Sequence, residues 1–121
     1  METLLVALAA GVGAVTRYAV DQALTGRTRG RFPTGTFVVN VTGSALLGLV
    51  TGLALHHGLG SASAAIVGVG LAGGYTTFST WVWECLALAE TGAQRTAAAY
   101  GVGSLLAGLA AAAAGLGLAL L

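Results

Sequence analysis

The sequence predicts an all-α membrane protein with four transmembrane helices. Of its 121 residues, 56% are hydrophobic and 7% are charged, and the mean hydropathy is +0.88. A soluble domain of ordinary composition carries about a quarter charged residues. The apolar residues fall into four long stretches, and no Asp, Glu, Lys or Arg occurs between Phe32 and Trp83. We therefore expect a single domain over residues 1–121, in the plasma (cell inner) membrane.

The first predicted span covers residues 3–23, about the twenty residues that a bilayer core requires. Its ionisable residues, Arg17 and Asp21, lie near its end at positions i and i+4. We interpret them as an interfacial pair in which Arg17 extends toward water. The alternative is that Arg17 organises a vestibule or a helix junction.

Residues 25–33 form a polar, basic loop that contains Arg27, Arg29 and Arg31. These arginines are typical of a topology signal and a contact with lipid headgroups, and so short a loop does not favour nucleic-acid binding. With four spans, Arg95 lies on the same side of the membrane as this loop. The positive-inside rule therefore favours one orientation of the chain.

The second predicted span covers residues 34–55. Asn40 lies well inside it, and an amide at that depth needs hydrogen-bond partners, which a neighbouring helix commonly provides. Small and polar residues recur at every fourth position and so share one helix face. This stripe consists of Thr36, Asn40, Ser44, Gly48 and Gly52.

The third apolar stretch, residues 61–90, would be about 45 Å long as one straight helix, which exceeds a hydrocarbon core of about 30 Å. It contains the octet GGYTTFST at residues 73–80, which is polar and rich in glycine. In lipid, irregular backbone persists only where protein buries it or where it lines a wet cavity or an ion. We therefore predict a break near residues 73–76 and a functional site there.

The residues after the octet and the last span complete the prediction. Trp81 and Trp83 are typical of interfacial anchors, and Glu84 is placed near the rim of the membrane. The fourth span covers residues 96–119 and is almost entirely Ala, Leu and Gly. Its polar residues lie on one face at i and i+4, on a line that Gly108 continues; they are Tyr100 and Ser104.

Other classes of site find little support. His56 and His57 are adjacent, point in different directions on a helix and are interpreted as interfacial rather than as metal ligands. The single Cys85 excludes an internal disulfide and a cysteine cluster. No cationic leader precedes the first span, and no nucleophile, base and orienting residue can be assembled into an enzyme site. Because the sequence has no internal repeat, any symmetry has to come from a second chain.

Three segments of the sequence closely resemble the CrcB/Fluc family of small four-helix fluoride channels. They are GVGAVTRY at residues 11–18, TGTFVVNVTGSALLG at residues 34–48 and GLAGGYTTFSTWVWE at residues 70–84. The resemblance implies an antiparallel, dual-topology dimer with two fluoride pathways and a sodium ion buried at its centre. It also implies export of cytoplasmic fluoride down its gradient, which relieves fluoride toxicity.

Matched position by position, the resemblance also implies roles for individual residues. Asn40 falls on a pore asparagine and Thr36 on a vestibule threonine, and the backbone carbonyls of Gly73 and Thr76 fall on the sodium ligands. Phe78 matches the first of two pore phenylalanines, and Tyr100 and Ser104 match the start of a polar track. Two positions depart from the pattern: Trp81 replaces the second phenylalanine, and Gly108 replaces a frequent hydroxyl.

The residue chemistry independently suits a small, strongly hydrated anion. Amide and hydroxyl hydrogens offset the cost of desolvation without a fixed charge that would trap the ion. The octet adds hydroxyls at Thr77, Ser79 and Thr80, and the positive edge of the Phe78 ring can face an anion. The Trp81 indole either donates its N–H to fluoride or closes the pathway by its bulk.

Several alternatives stay open. A proton-coupled small multidrug exporter needs a carboxylate embedded in its first span, whereas Glu2 is terminal and Asp21 lies at the far end. A non-conducting membrane subunit would share the small-residue faces. The partner within the bilayer is either a second copy of the chain or a paired homologue of opposite orientation.

Overall fold

The computed structural model describes residues 1–25 and 32–121, and every regular element in that part is a helix. Arg27, Arg29 and Arg31 lie outside the described residues. Three of the helices, Glu2–Thr25, Thr34–His56 and Gln94–Leu118, are long and apolar enough to cross a membrane. In chain order the elements are α1 (Glu2–Thr25), α2 (Thr34–His56), α3 (Ser61–Ala64), a π-helix (Ala65–Ala72), α4 (Gly73–Tyr75), α5 (Ser79–Glu90) and α6 (Gln94–Leu118).

The third apolar stretch consists of two helical pieces. Helical backbone continues without a gap from Ser61 to Tyr75. At Thr76 the backbone is extended, with φ −79° and ψ 161°, and the helix resumes at Ser79. The 12 residues of α5 are about 18 Å long, which is too short to cross a hydrocarbon core of about 30 Å.

Gly73 and Gly74, where the sequence places the break, are both helical. The interruption at residues 76–78 therefore lies slightly later in the chain. Gly74 serves close packing instead, since a Cβ at this position would overlap the Ala10 carbonyl of α1. Gly70, in the π-helix, also lies against α1, since a Cβ there would come within 2.8 Å of the Val6 carbonyl oxygen.

Helices α2 and α6 pack side by side in a parallel arrangement. A Cβ at Gly48 of α2 would overlap the Ala112 carbonyl of α6. One turn later Gly52 faces Ala119 in the same way, so the residue numbers of the two helices increase together. The small-residue stripe predicted for α2 therefore lies against α6, where missing side chains let the two backbones approach closely.

The end of α5 is fixed to the start of α6. Gly92 adopts φ 84°, a left-handed conformation that glycine reaches without a Cβ clash. The chain then reverses into α6, and Leu88, Ala97 and Tyr100 form a buried apolar cluster between the two helices. This cluster fixes the direction of α5 behind the interruption.

We expect Gly115→Ala to destabilise the protein and Gly117→Ala to leave it unaffected or slightly more stable. A Cβ at Gly115 would overlap the Ala45 carbonyl of α2, whereas nothing lies within 4 Å of one at Gly117. Overpacking of this kind costs about 1–3 kcal/mol, while alanine improves helix propensity by up to ~1 kcal/mol. Thermal unfolding of the two variants in one detergent tests this. Equal melting temperatures would contradict the α2–α6 packing.

Candidate functional site

Asn40 fixes the interrupted backbone with two hydrogen bonds. Its Nδ2 donates to the Thr77 carbonyl at 2.8 Å, and its Oδ1 accepts from the Thr77 amide at 2.8 Å. The side chain thus pairs with both backbone groups of one residue, as an adjacent strand would. This is the helix-to-helix bond expected of a buried amide, and one Nδ2 hydrogen remains for another acceptor.

The bond to Asn40 frees the carbonyl of Gly73, the first residue of α4. In a continuous helix the Thr77 amide would donate to the Gly73 carbonyl four residues earlier. Because that amide donates to Asn40 instead, the Gly73 carbonyl loses its helical partner. The Thr76 carbonyl accepts a hydrogen bond of 3.2 Å from Nη1 of Arg17. Of the two sequence interpretations of Arg17, this contact is the one expected for a helix junction.

Glu84 connects three helices through its carboxylate. Its Oε1 accepts from the Thr36 hydroxyl at 2.9 Å, and its Oε2 accepts from the Tyr100 hydroxyl at 2.6 Å. Tyr100 is fully buried. The sequence placed Glu84 only near the rim and missed this role, although the spacing Thr36–Asn40 and Tyr100–Ser104 on two parallel helices would have put both hydroxyls at one level.

A cavity of about 380 Å³ runs along α2, α6 and the interruption. Phe78, which is 74% exposed, and the exposed Gly73 belong to its wall, so the cavity is an open groove on the surface of one chain. Among the described residues that line it there is no Asp, Glu, Lys or Arg. The polar lining residues are Asn40, Ser44, Thr76, Thr77, Trp81 and Ser104. We call this cavity the groove.

A second, smaller cavity lies on the other side of Thr77. It has a volume of about 180 Å³, and its lining includes Arg17, Asp21, Thr36 and Thr80. Here a cation and a carboxylate lie at one polar recess, whereas the groove is uncharged. The two cavities are adjacent at Thr77, which contributes to the lining of both.

The remaining predicted site residues differ in their surroundings. The Thr77 hydroxyl donates to Thr80 Oγ1 at 3.0 Å, and Ser79 is exposed. The Phe78 and Trp81 rings are in contact, with centroids 5.3 Å apart and planes 57° apart. Ser104 is 7% exposed.

Polar contacts outside the predicted site link the helices to one another. The Thr42 hydroxyl lies 3.0 Å from the Tyr75 hydroxyl, a contact that residue spacing does not predict. His57 Nε2 lies 2.5 Å from the Ala119 carbonyl and so ties the end of α2 to the end of α6. Within residues 1–25 and 32–121, no group of three or more His, Cys, Asp or Glu side chains is placed to hold a metal.

Comparison with known proteins identifies the family. The model described as "CrcB-like protein, Camphor Resistance (CrcB)" matches residues 4–116. A protein of Leifsonia xyli named "Fluoride-specific ion channel FluC 1" is 52% identical over 95% of this chain and 82% of its own length. A protein of the same name from Streptomyces avermitilis is 46% identical over 95% and 93%.

A further relative, "Fluoride-specific ion channel FluC" of Methylobacterium nodulans, is 41% identical over 91% of this chain and 89% of its own length. The matched region contains the three motifs noted in the sequence and both sides of the groove. Together with the three apolar helices, the match indicates a multi-pass membrane protein. The chain belongs to the CrcB-like protein family.

Proposed function

We propose that this chain forms a fluoride-selective channel that lets cytoplasmic fluoride leave the cell down its gradient. The observation that carries the proposal is the groove, which offers amide and hydroxyl donors and contains no charged residue among its described lining. Neutral donors replace hydration while leaving the ion free to depart. The relatives, which carry the name of fluoride-specific ion channels, support the choice of fluoride as the anion.

In this proposal the anion passes from the smaller cavity to the groove beside Asn40. Arg17 attracts the anion to the smaller cavity. The second Nδ2 hydrogen of Asn40 then meets it in the groove. Phe78 presents a ring edge, which carries the positive part of the aromatic quadrupole. Ser104 adds a hydroxyl donor. The hydroxyls of Thr36 and Tyr100 are hydrogen-bonded to Glu84, so they donate to the anion only when those bonds break.

We propose that a second chain closes the groove, in an antiparallel dimer with two pathways. The exposed Gly73 supports this. It lines the groove, and a Cβ there would meet nothing nearer than 3.9 Å within one chain, so this part of the groove wall is open to the approach of a second chain. In the dimer the third apolar stretch, residues 61–90, crosses the membrane as a broken helix, so that each chain has four spans together with α1, α2 and α6. Crosslinking a tagged chain expressed alone distinguishes a homodimer from a paired heterodimer.

A structural sodium ion between the chains fits part of the backbone geometry. The Gly73 carbonyl has lost its helical partner to the Asn40 bond, and a carbonyl oxygen is a ligand suited to hard cations. The Thr76 carbonyl already accepts from Arg17, so a sodium ion would share it with the guanidinium. When bound, the ion would neutralise the partial charges of carbonyls from both chains at the interruption.

Two alternatives are weaker. A proton-coupled exporter of small molecules needs a carboxylate embedded in its first span. In the part of the chain that the structure describes, the only carboxylate that lines either cavity is Asp21 in the smaller one, and Asp21 lies near the end of α1. A non-conducting membrane subunit would account for the glycine packing of α2 and α6. It would give no reason for unpaired donors along an uncharged groove.

We expect the reconstituted protein to release fluoride from liposomes far faster than chloride, driven by the gradient alone. The donors suit a small anion, and the described residues that line the groove include no carboxylate that could couple transport to protons. Parallel recordings with fluoride-selective and chloride-selective electrodes measure both rates. Equal release of the two anions, or no release from a correctly assembled dimer, would overturn the proposed function.

We expect Asn40→Asp to abolish fluoride conduction. The carboxylate repels the anion, and it places an acceptor against the Thr77 carbonyl, which Asn40 Nδ2 now satisfies. An unsatisfied buried group of this kind costs about 1–3 kcal/mol. Thr51→Val is the matched control on α2, since the Thr51 hydroxyl bonds only to the Leu47 carbonyl of its own helix. Size-exclusion profiles establish that both variants assemble, and normal flux through an assembled Asn40→Asp protein would place the pathway elsewhere.

We expect Gly73→Leu, or removal of sodium, to weaken the dimer and to lower fluoride flux by at least about tenfold, or roughly 1.4 kcal/mol in barrier. Gly117→Leu is the control, because Gly117 is another exposed glycine with no atom within 4 Å of its Cβ position. Dimer fraction and flux are measured in sodium and in N-methylglucamine buffers. An unchanged dimer and unchanged flux under both perturbations would refute the sodium site.

A further inference from the structure

Two buried polar atoms in the groove have no hydrogen-bond partner within the described chain. They are Nε1 of Trp81 and Oγ of Ser104, and both residues line the groove. Ser104 as a whole is only 7% exposed. They come from different helices, Trp81 from α5 and Ser104 from α6.

The indole of Trp81 is held on two sides. One side contacts the Phe78 ring, with the centroids 5.3 Å apart. Another packs against the buried cluster of Leu88, Ala97 and Tyr100. The orientation of its N–H is therefore set by packing, and a donor fixed in this way needs little reorganisation when it meets a ligand.

Leaving these two atoms unpaired is costly. A buried donor without a partner costs about 1–3 kcal/mol, and a buried tryptophan N–H usually has one. A phenylalanine would fill much of the same space without this cost. The polar atoms of Trp81 and Ser104 therefore point to an acceptor that is not part of the single chain.

The chemistry of the two groups restricts that acceptor. The indole N–H only donates, and the serine hydroxyl can donate as well. With two neutral donors and an uncharged lining, the site suits a small acceptor that carries its own negative charge. A water molecule is a poorer occupant because it needs two to four polar partners, some of them acceptors.

We propose that the Trp81 N–H and the Ser104 O–H together form a hydrogen-bonding site for one fluoride ion in the groove. The inference rests on the proposed channel function. In this inference Trp81 donates a hydrogen bond directly to the anion. It neither acts only through its aromatic ring edge nor blocks the pathway. The anion at this site accepts hydrogen bonds from α5 and α6 at once.

The test observes the indole N–H directly, in the full chain labelled with [15N-indole]tryptophan and kept as the assembled protein. The sequence contains two tryptophans, Trp81 and Trp83, and Trp83 is 68% exposed, so it serves as the internal control. Trp83→Phe identifies the Trp81 signal, and Trp81→Phe identifies the other where that variant folds. Sodium fluoride and sodium chloride are titrated at constant ionic strength, and fluoride efflux is recorded in parallel.

We expect fluoride to shift the Trp81 indole proton downfield in a saturable manner, chloride to have no such effect, and the Trp83 signal to stay in place. Ser104→Ala should weaken the fluoride response by about five- to tenfold, the loss of one hydrogen bond. Trp81→Phe should slow fluoride efflux but keep it within about tenfold of the parent.

Three results would overturn the inference. A Trp81 signal that ignores fluoride in a protein that conducts fluoride would refute the donor site and leave the channel function intact. A signal already downfield without fluoride and insensitive to it would show that a group of the second chain accepts this N–H. A large rise in flux in Trp81→Phe would show that the indole obstructs the pathway. Absence of fluoride efflux from the assembled parent would instead refute the proposed channel function.

Discussion

The pairing of Asn40 with Thr77 is the interaction on which the rest of the site depends. An interruption inside an apolar stretch exposes amides and carbonyls that lipid cannot satisfy. Asn40 provides one donor and one acceptor, at 2.8 Å each, and so replaces the helical partners of a single residue. Because both bonds come from α2, the position of the interruption is set by the neighbouring helix. The carbonyl released at Gly73 is a direct consequence of this exchange.

The close contact of α2 and α6 places the donors of the two helices along one groove. Glycines at positions such as Gly48 and Gly115 bring the two backbones together. Since the helices are parallel and the polar residues recur every fourth position, Asn40 and Ser104 lie toward the same end as the Glu84 contacts. The apolar ends of both helices then provide packing alone. The small-residue stripe therefore determines where the donors meet as well as how tightly the helices pack.

Residue spacing was sufficient to predict an all-helical protein, the hydrogen bonding of the Asn40 amide to a neighbouring element and the shared face on α2. These features depend on helical periodicity and on the cost of burying an amide, both of which act locally. The sequence placed the break near residues 73–76, at the start of the polar octet, whereas Gly73 and Gly74 are helical and Gly74 lets α4 approach α1 closely. The spacing on α2 and α6 places the Thr36 and Tyr100 hydroxyls at one level, but the bridging role of Glu84 depends in addition on how a third helix brings its carboxylate between them.

The hydrogen bonds of Glu84 also limit what the groove can offer an anion. Its two oxygens accept hydrogen bonds from the Thr36 and Tyr100 hydroxyls, so neither hydroxyl is a free donor at rest. The donors that remain among the described residues include the second amide hydrogen of Asn40 and the unpaired groups of Trp81 and Ser104. A few neutral donors hold a small anion less firmly than a closed shell of charged groups would. Rapid passage requires such incomplete coordination, because an ion that is fully satisfied at one point has no reason to move to the next.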